Sequence, residues 1–550
     1  MKKKALAFAA AACAFGMLLS GCGSSNGDST ADKGSNVITA YNSEPQNPLI
    51  PGDCNETGGG KPLDLLFARL ISFDAKGNAS NEVAESIKSN DDATQYTIKL
   101  KDGWKFTDGT PVTAESFTKA WSYTANAKNA QLGSSFFSTI KGYDALQDGD
   151  KLKGDEQLEG LKVVNDKEFT VDLNQSDSVF AIKVGYTAFA PLPESFFKDP
   201  KAFGEKPVGN GPYKFQSWDH DNQIVLVKNP DYKGNRVAKN DGVTFKVYTK
   251  DEAAYADIQS GSLDVMESVP ASATKTFQKD STVQSYNKAG SVIQQFTIPS
   301  NVKHFESGTE EGTLRRQAVS MAINRENICK KVLNGTGTPA ADFTSPLTPG
   351  YSDSLKGSGN LKYNEKKAKE LWDKANAISP WTADDKLTFA YNADGGHEVI
   401  YTAVVNSINN VLGDGVAATN PYPTFNDFRT AVSDRKVNGA FRSGWQPDYP
   451  SAENYLMQNF ASSAADGNGS NDGDYKNSKF DDLCNQAAAS KTTDDANKLY
   501  QKAQEVLLND LPAVPLYYAN AYGVASTGVS GFEMNWQNLP VYENMTKSGK

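Results

Sequence analysis

Apolar residues come first as one unbroken run along this chain, and thereafter as short segments of two different periods. The run covers residues 5–19, behind Lys2-Lys3-Lys4 and ahead of the small residues Ser20 and Gly21. A basic start, a short apolar core and small residues at its end read as an export signal. The run is shorter than the ~20 residues that span a bilayer. Residues 23–35 are small and polar without apolar periodicity, which predicts a flexible tether. Strands are predicted at Val37-Ile38-Thr39-Ala40-Tyr41, at the alternating Tyr96-Thr97-Ile98-Lys99-Leu100, and at the buried Ile224-Val225-Leu226-Val227 that Asn229-Pro230-Asp231-Tyr232 stops. Asp102-Gly103 and Asp108-Gly109-Thr110-Pro111 mark turns around Trp104-Lys105-Phe106. Thr113 is placed to cap a helix carrying Phe117, Ala120 and Trp121 on one face, and Asn364 one carrying Ala368, Leu371, Trp372 and Ala375. Residues 314–333 predict a further helix, with Ala318, Val319, Met321 and Ala322 on its apolar side. No repeat of 20 to 50 residues is visible, which argues against solenoids and propellers. The mixture predicts a multidomain α/β or α+β protein.

Composition narrows the class. The chain has 550 residues and a mean hydropathy of −0.54, and no later apolar run is long enough to cross a membrane. This predicts a soluble body of several domains. Its 56 basic and 66 acidic residues give a net charge of −10, more negative still once the signal lysines are lost. That balance opposes binding to nucleic acid and to anionic lipid. The 23 tyrosines and 7 tryptophans exceed what a disordered acidic chain carries.

Candidate chemistry is sparse. Of the five cysteines, Cys13 lies in the signal and Cys22 directly follows it, leaving Cys54, Cys329 and Cys484 in the body. Outside the membrane these permit one disulfide and one thiol, and spacing does not choose the pair. His220, His304 and His397 are scattered, and HExxH, GxSxG and CxxC are absent. No cofactor, metal or enzymatic activity is expected. Gly58-Gly59-Gly60-Lys61 reads as a turn, because Pro62 stands where a phosphate loop needs Ser or Thr. Residues 466–474 alternate oxygen ligands as a calcium loop does, but Asn471 and Asn477 replace its glycine and bidentate glutamate. A polar surface loop is expected there. Nothing local favours the paired carboxylates of a glycosidase. Arg442-Ser443-Gly444-Trp445-Gln446-Pro447-Asp448-Tyr449 stands out by joining a cation, an aromatic platform and a carboxylate. An arginine grips a carboxylate bidentately and an aspartate accepts from an ammonium, which together suit a zwitterion such as a peptide. Taken alone, residues so close read as a surface or structural ion pair.

Two resemblances add to this. Leu19-Ser20-Gly21-Cys22 resembles the lipobox of bacterial lipoproteins, which implies cleavage before Cys22, acylation of that cysteine, and attachment to the outer face of the cell membrane. The body resembles the oligopeptide/dipeptide class of extracytoplasmic solute-binding proteins that serve ABC importers. Trp104-Lys105-Phe106-Thr107-Asp108-Gly109-Thr110-Pro111, Gly209-Asn210-Gly211-Pro212-Tyr213, Asn229-Pro230-Asp231-Tyr232, Ile258-Gln259-Ser260-Gly261-Ser262-Leu263-Asp264, Ala318-Val319-Ser320-Met321-Ala322-Ile323-Asn324-Arg325 and Leu511-Pro512-Ala513-Val514-Pro515 follow in that family's order.

The resemblance implies a monomeric α/β two-lobed periplasmic-binding-protein-like clamshell, with an extra N-terminal subdomain, that delivers short peptides to ABC permease transmembrane subunits. It implies a signal peptide at 1–21, a lipidated cysteine and tether at 22–36, lobe I at 37–60, 190–285 and 510–550, the extra subdomain at 61–189 and lobe II at 286–509. Cys329 and Cys484 then share a lobe and form the expected disulfide. By the same resemblance Asp448 receives the peptide ammonium and Arg442 its carboxylate, with Gly444 and Trp445 in the same segment. Asn392 and His397 reach the C-terminal part of the ligand, and the stretch around Glu44 pairs with its backbone. Two departures stand out. A lysine that contacts the carboxylate in some relatives aligns with Leu333, and Arg435 has no firm counterpart. Residues 461–475 lie near neither anchor in sequence. Relatives of the same fold take oligosaccharides or other solutes, the alternative ligands.

Overall fold

The computed structural model describes residues 36–547 except 55, 271, 394–396, 424 and 468. The expected signal peptide, Cys22 with its lipid, and the tether up to residue 35 lie outside the described residues. One eleven-stranded mixed sheet organises the rest. Its strands are β1 (Val37–Asn42), β2 (Tyr213–Asp219), β3 (Gln223–Lys228), β4 (Gly242–Val247), β5 (Val265–Met266), β6 (Val283–Thr297), β7 (Gly337–Pro339), β8 (Leu387–Asn392), β9 (Ala417–Tyr422), β10 (Ala440–Trp445) and β11 (Ala513–Ser526). The order across the sheet is β9-β8-β10-β6-β11-β5-β1-β4-β3-β2, with β7 also on β11.

The two longest strands, β6 and β11, pair antiparallel from Val283 opposite Ser526 to Thr297 opposite Ala513, with irregularities between Ala289 and Val292 and between Gln294 and Gln295. They join two separately packed halves. One core gathers buried residues from Ile38 to Phe245 together with Val265, Ala525 and Met545. The other gathers Phe296 to Tyr517. At the first irregularity a side chain on Gly290 would meet the Ala519 carbonyl at 2.6 Å and Asn538 Oδ1 at 2.5 Å, so the backbones approach there as only glycine allows.

In the first core a four-stranded antiparallel sheet (Ala84–Ser89, Gln95–Leu100, Glu168–Asp172, Leu161–Asn165 in spatial order) covers the helix Ala114–Ala125. Phe117 and Trp121 meet Phe169 there, and Trp121 also packs edge-on to Phe189 at 5.1 Å. Thr113 and Ser116 form the reciprocal capping box that starts this helix. In the second core the buried Arg316 donates to the carbonyls of Ile298, Pro299, Phe305 and Leu511, stapling three chain segments without a carboxylate.

The structure corrects three expectations. Gly58–Lys61 is the first turn of the helix Thr57–Leu66, because the Glu56 carboxylate caps the Gly58 and Gly59 N–H groups. The helix expected over 314–333 breaks after Met321 and resumes as a single turn at Arg325–Asn327 followed by a short π turn at Ile328–Val332, and the Arg325 side chain bonds the Ser320 and Leu361 carbonyls at the break. Cys329 and Cys484 are free thiols, as is Cys54. Cys329 sits in the π turn and Cys484 in the helix Ser478–Ala488, each buried among its own neighbours. Burial pushes the Cys329 thiol up to about 12 and raises that of Cys484 as well. No helix of the described residues is long and apolar enough to cross a membrane.

Candidate functional site

Strand β10 carries the segment that the sequence singled out. Its residues Phe441 to Trp445 pair antiparallel with Thr297 to Ile293 of β6. On its other side β8 pairs only with Ala440 and Phe441. From Arg442 to Trp445 one edge of β10 therefore has no strand partner among the described residues, which leaves N–H and C=O groups open to an added strand. Gly444 is fixed by close packing, since a side chain would meet the Ile293 carbonyl at 2.7 Å. A cavity of about 380 Å³ lies here, lined by Thr297, Arg442, Ser443, Trp445 and residues 470–473.

Arg442 and Asp448 do not pair with each other. The structure keeps them in different settings, so the ion pair that proximity suggested is absent. Arg442 has a buried Nε without a hydrogen-bond partner, and its charge bears on the buried hydroxyls of Tyr401 and Tyr517. Asp448 follows Pro447 off the strand end and is held by Asn454, in the first turn of the helix Ala452–Phe460. Asn454 Nδ2 donates to Asp448 Oδ2 at 3.0 Å. Its Oδ1 accepts from the Asp448 N–H at 3.1 Å and from the Trp445 indole N–H at 2.7 Å. Burial pushes the Asp448 carboxyl above the ordinary carboxylate range, against the bond from Asn454.

Tyr186, packed on Phe136 against the first core, lies within electrostatic reach of this end. Burial raises its hydroxyl pKa, and the Asp448 carboxylate adds to the effect. The neighbouring segment is tied across to the second core. Lys183 Nζ lies 2.8 Å from Asp177 and 3.6 Å from Glu453. The Tyr449 hydroxyl donates to Glu453 at 2.6 Å, and the Ser178 N–H and hydroxyl both donate to main-chain carbonyls at Ala488 and Ala487. Burial alone would lower the Lys183 pKa, but Asp177 and Glu453 outweigh it and hold the ammonium charged.

The other site residues expected from sequence are spread more widely. Glu44 follows β1 in an extended stretch, and its carboxylate is taken by His220 at 2.9 Å and the Asp221 N–H at 3.0 Å. Asn392 is buried at the end of β8, and His397 precedes the helix Glu398–Leu412. Neither is among the residues lining the Arg442 cavity. Of the stretch 461–475, distant from the anchors in sequence, residues 470–473 and Tyr475 form one wall of that cavity. The acidic groups of the stretch are spent on cations: Asp472 on Arg429 at 2.9 Å, Asp474 on Arg435 at 2.8 Å and Asp466 on Lys476 at 2.6 Å. A larger cavity of about 610 Å³ belongs to the first core, where Arg69 and Arg236 pair with Asp64. Sequence reasoning missed Asn454, Glu453, Lys183 and Tyr186. Ser451 as a helix cap was the available sign for the first two, since it sets residues 453 and 454 in a first turn beside the Pro447–Pro450 bend.

Comparison with known proteins agrees with this architecture. The model for the bacterial extracellular solute-binding proteins, family 5 (middle region), matches residues 78–467. The oligopeptide-binding protein OppA of Bacillus subtilis is 26% identical over 94% of this chain and 95% of its own. The dipeptide-binding protein DppE of the same organism is 27% identical over 86% and 84%. Among solved structures, the unliganded open form of the periplasmic murein tripeptide-binding protein MppA superposes with a TM-score of 0.81 at 22% identity, covering 94% of this chain and 98% of that one. With the family model spanning well over half its length, this chain belongs to the bacterial extracellular solute-binding proteins of family 5.

Proposed function

We propose that this protein captures short peptides outside the cell and hands them to the transmembrane subunits of an ABC importer. One observation carries the reading: among the described residues, a strand edge without a strand partner at Arg442–Trp445 lies between Arg442, whose buried Nε has no hydrogen-bond partner, and a partly buried carboxylate that no cation neutralises. An extended peptide adds to such an edge through its own backbone, which satisfies its amides whatever its side chains are. Asp448 receives the terminal ammonium, because a charge buried there without a counter-ion costs several kcal/mol. Arg442 receives the carboxylate, and Gly444 and Trp445 line the strand between them. Asn392 and His397 serve the C-terminal part of the ligand, and the main chain at Glu44 supplies a second edge. Water in the cavity lets different side chains fit.

In this reading the lobes are 37–60 with 190–285 and 510–550, and 286–509, with 61–189 as the extra subdomain. Ligand closes them by binding the closed state more tightly. Cys22 carries the lipid that holds a monomeric body at the outer face of the membrane. The names of relatives that bind oligopeptides and dipeptides support the ligand class.

Native mass spectrometry of the purified protein, with acid release and sequencing of the adduct, tests the reading. Mixed peptides of narrow length are expected. A defined sugar or chelate would keep the fold and overturn the ligand.

A further inference from the structure

We propose that Asn454 is the positioning residue of the site, fixing the Asp448 carboxylate and the Trp445 indole as one preformed unit for a ligand ammonium. The inference rests on the peptide reading of Asp448. Asn454 is 1% exposed and uses both ends of its amide. The oxygen accepts from the Trp445 indole N–H and the Asp448 main chain, which ties the strand end to the turn that leaves it. The nitrogen donates to Asp448 Oδ2, and among the described residues it is the one side chain that does so. These two roles are separable. Holding the turn needs only the oxygen. Donating to the carboxylate favours its ionised form, stops it swinging, and leaves the other carboxylate oxygen for the ligand. A carboxylate immobilised beforehand loses no rotamer freedom on binding, so more of the contact reaches the affinity.

Asparagine is the residue this arrangement needs. Aspartate would keep both acceptor contacts but lose the donor and set a second carboxylate against the first. Alanine would lose all three bonds. The other titratable groups around the site are Tyr186 and Cys54 on the first core, and Tyr449, Glu453, Lys183 and Asp177 beside Asn454, with the Tyr449 hydroxyl influenced by the Asn454 amide. None of them is itself replaced in either variant, and Tyr449 stays bonded to Glu453.

The test is calorimetric titration of the full protein, Asn454→Asp and Asn454→Ala with tri-, tetra- and pentaalanine and their N-acetyl forms, across pH 5 to 8. Thermal unfolding is followed in parallel. Asn454→Asp is expected to keep the fold and to move the acidic limb of the affinity profile upward by about one pH unit or more, because paired carboxylates share a proton. Asn454→Ala is expected to lose about tenfold or more in affinity for free N-termini and to narrow the gap between free and acetylated peptides. A folded variant with the parent's profile and the parent's gap overturns the proposal. If Asn454→Asp does not fold, Asn454→Ala decides alone by the same gap. Asp448→Asn is the separating control. Unchanged affinity there overturns the peptide reading and this inference with it, whereas lost affinity there beside inert Asn454 variants overturns this inference only.

Discussion

Arg442 and Asp448 are six positions apart, yet the two ends of the candidate site are built on different principles. The Asp448 end is preformed. A buried amide holds the carboxylate, its charge reaches Tyr186 of the other core, and the cluster of Lys183, Asp177 and Glu453 ties both cores together one residue away from Asn454. The Arg442 end is a strand residue beside a cavity, and loop 470–473 completes the wall through ion pairs to Arg429 and Arg435. A rigid end suits a ligand group that is always the same, such as a terminal ammonium. A roomier end suits a group whose distance varies with ligand length.

Breaking the support of the rigid end should have the largest effect. Lys183→Met leaves Asp177 and Glu453 facing each other in a buried place, which is expected to cost ~3–5 kcal/mol of stability in urea unfolding. A loss below the error of the midpoint would show that the cluster is solvated.

Asp448→Asn comes next, and its two effects have opposite signs. Peptide affinity should fall by ~2–5 kcal/mol. The empty protein should melt at a higher temperature at neutral pH. The folded pKa of Asp448 lies above its unfolded value, so the ionised group opposes folding at pH above the folded pKa. That opposition is relieved as pH falls through the folded pKa, and removing the charge has the same effect at pH 7. For the parent, peptide affinity should weaken on acidification sooner than an ordinary aspartate would allow. A melting temperature lowered by Asp448→Asn would contradict the burial of this charge.

Arg442→Gln sharpens the comparison. It should weaken peptides with a free carboxylate by ~1.5–3 kcal/mol and leave their amidated forms unchanged in the same titration. Equal losses for both forms would assign Arg442 to the strand rather than to the ligand. The smallest effect is expected from Asp472→Asn, which removes partly exposed pairs with Arg429 and Arg435 and should cost ~0.2–1 kcal/mol. That cost should shrink with added salt, as screening predicts.

Much of the fold was legible because its elements carry local reasons. The capped helix at Thr113, the alternating strand Gln95–Leu100 and the Asn364 cap all rest on residues a few positions apart. Where a local reason competed with a distant one, the sequence misled. The helix pattern over 314–333 is broken by Arg325 reaching carbonyls at 320 and 361. The triglycine at Gly58 became a helix because Glu56 caps it. The disulfide between Cys329 and Cys484 fails because sharing a lobe does not bring two thiols face to face.

By itself the sequence determined the α/β character, the ordered family motifs and the Arg442–Asp448 segment, since composition, periodicity and contiguous motifs are properties of neighbours in the chain. Only the tertiary structure decided which edge of β10 lacks a partner among the described residues, that Asn454 rather than Arg442 answers Asp448, and that residues 470–473 wall the Arg442 cavity. Those outcomes depend on strand pairing, burial and contacts across the chain, and no local pattern encodes which distant groups will meet.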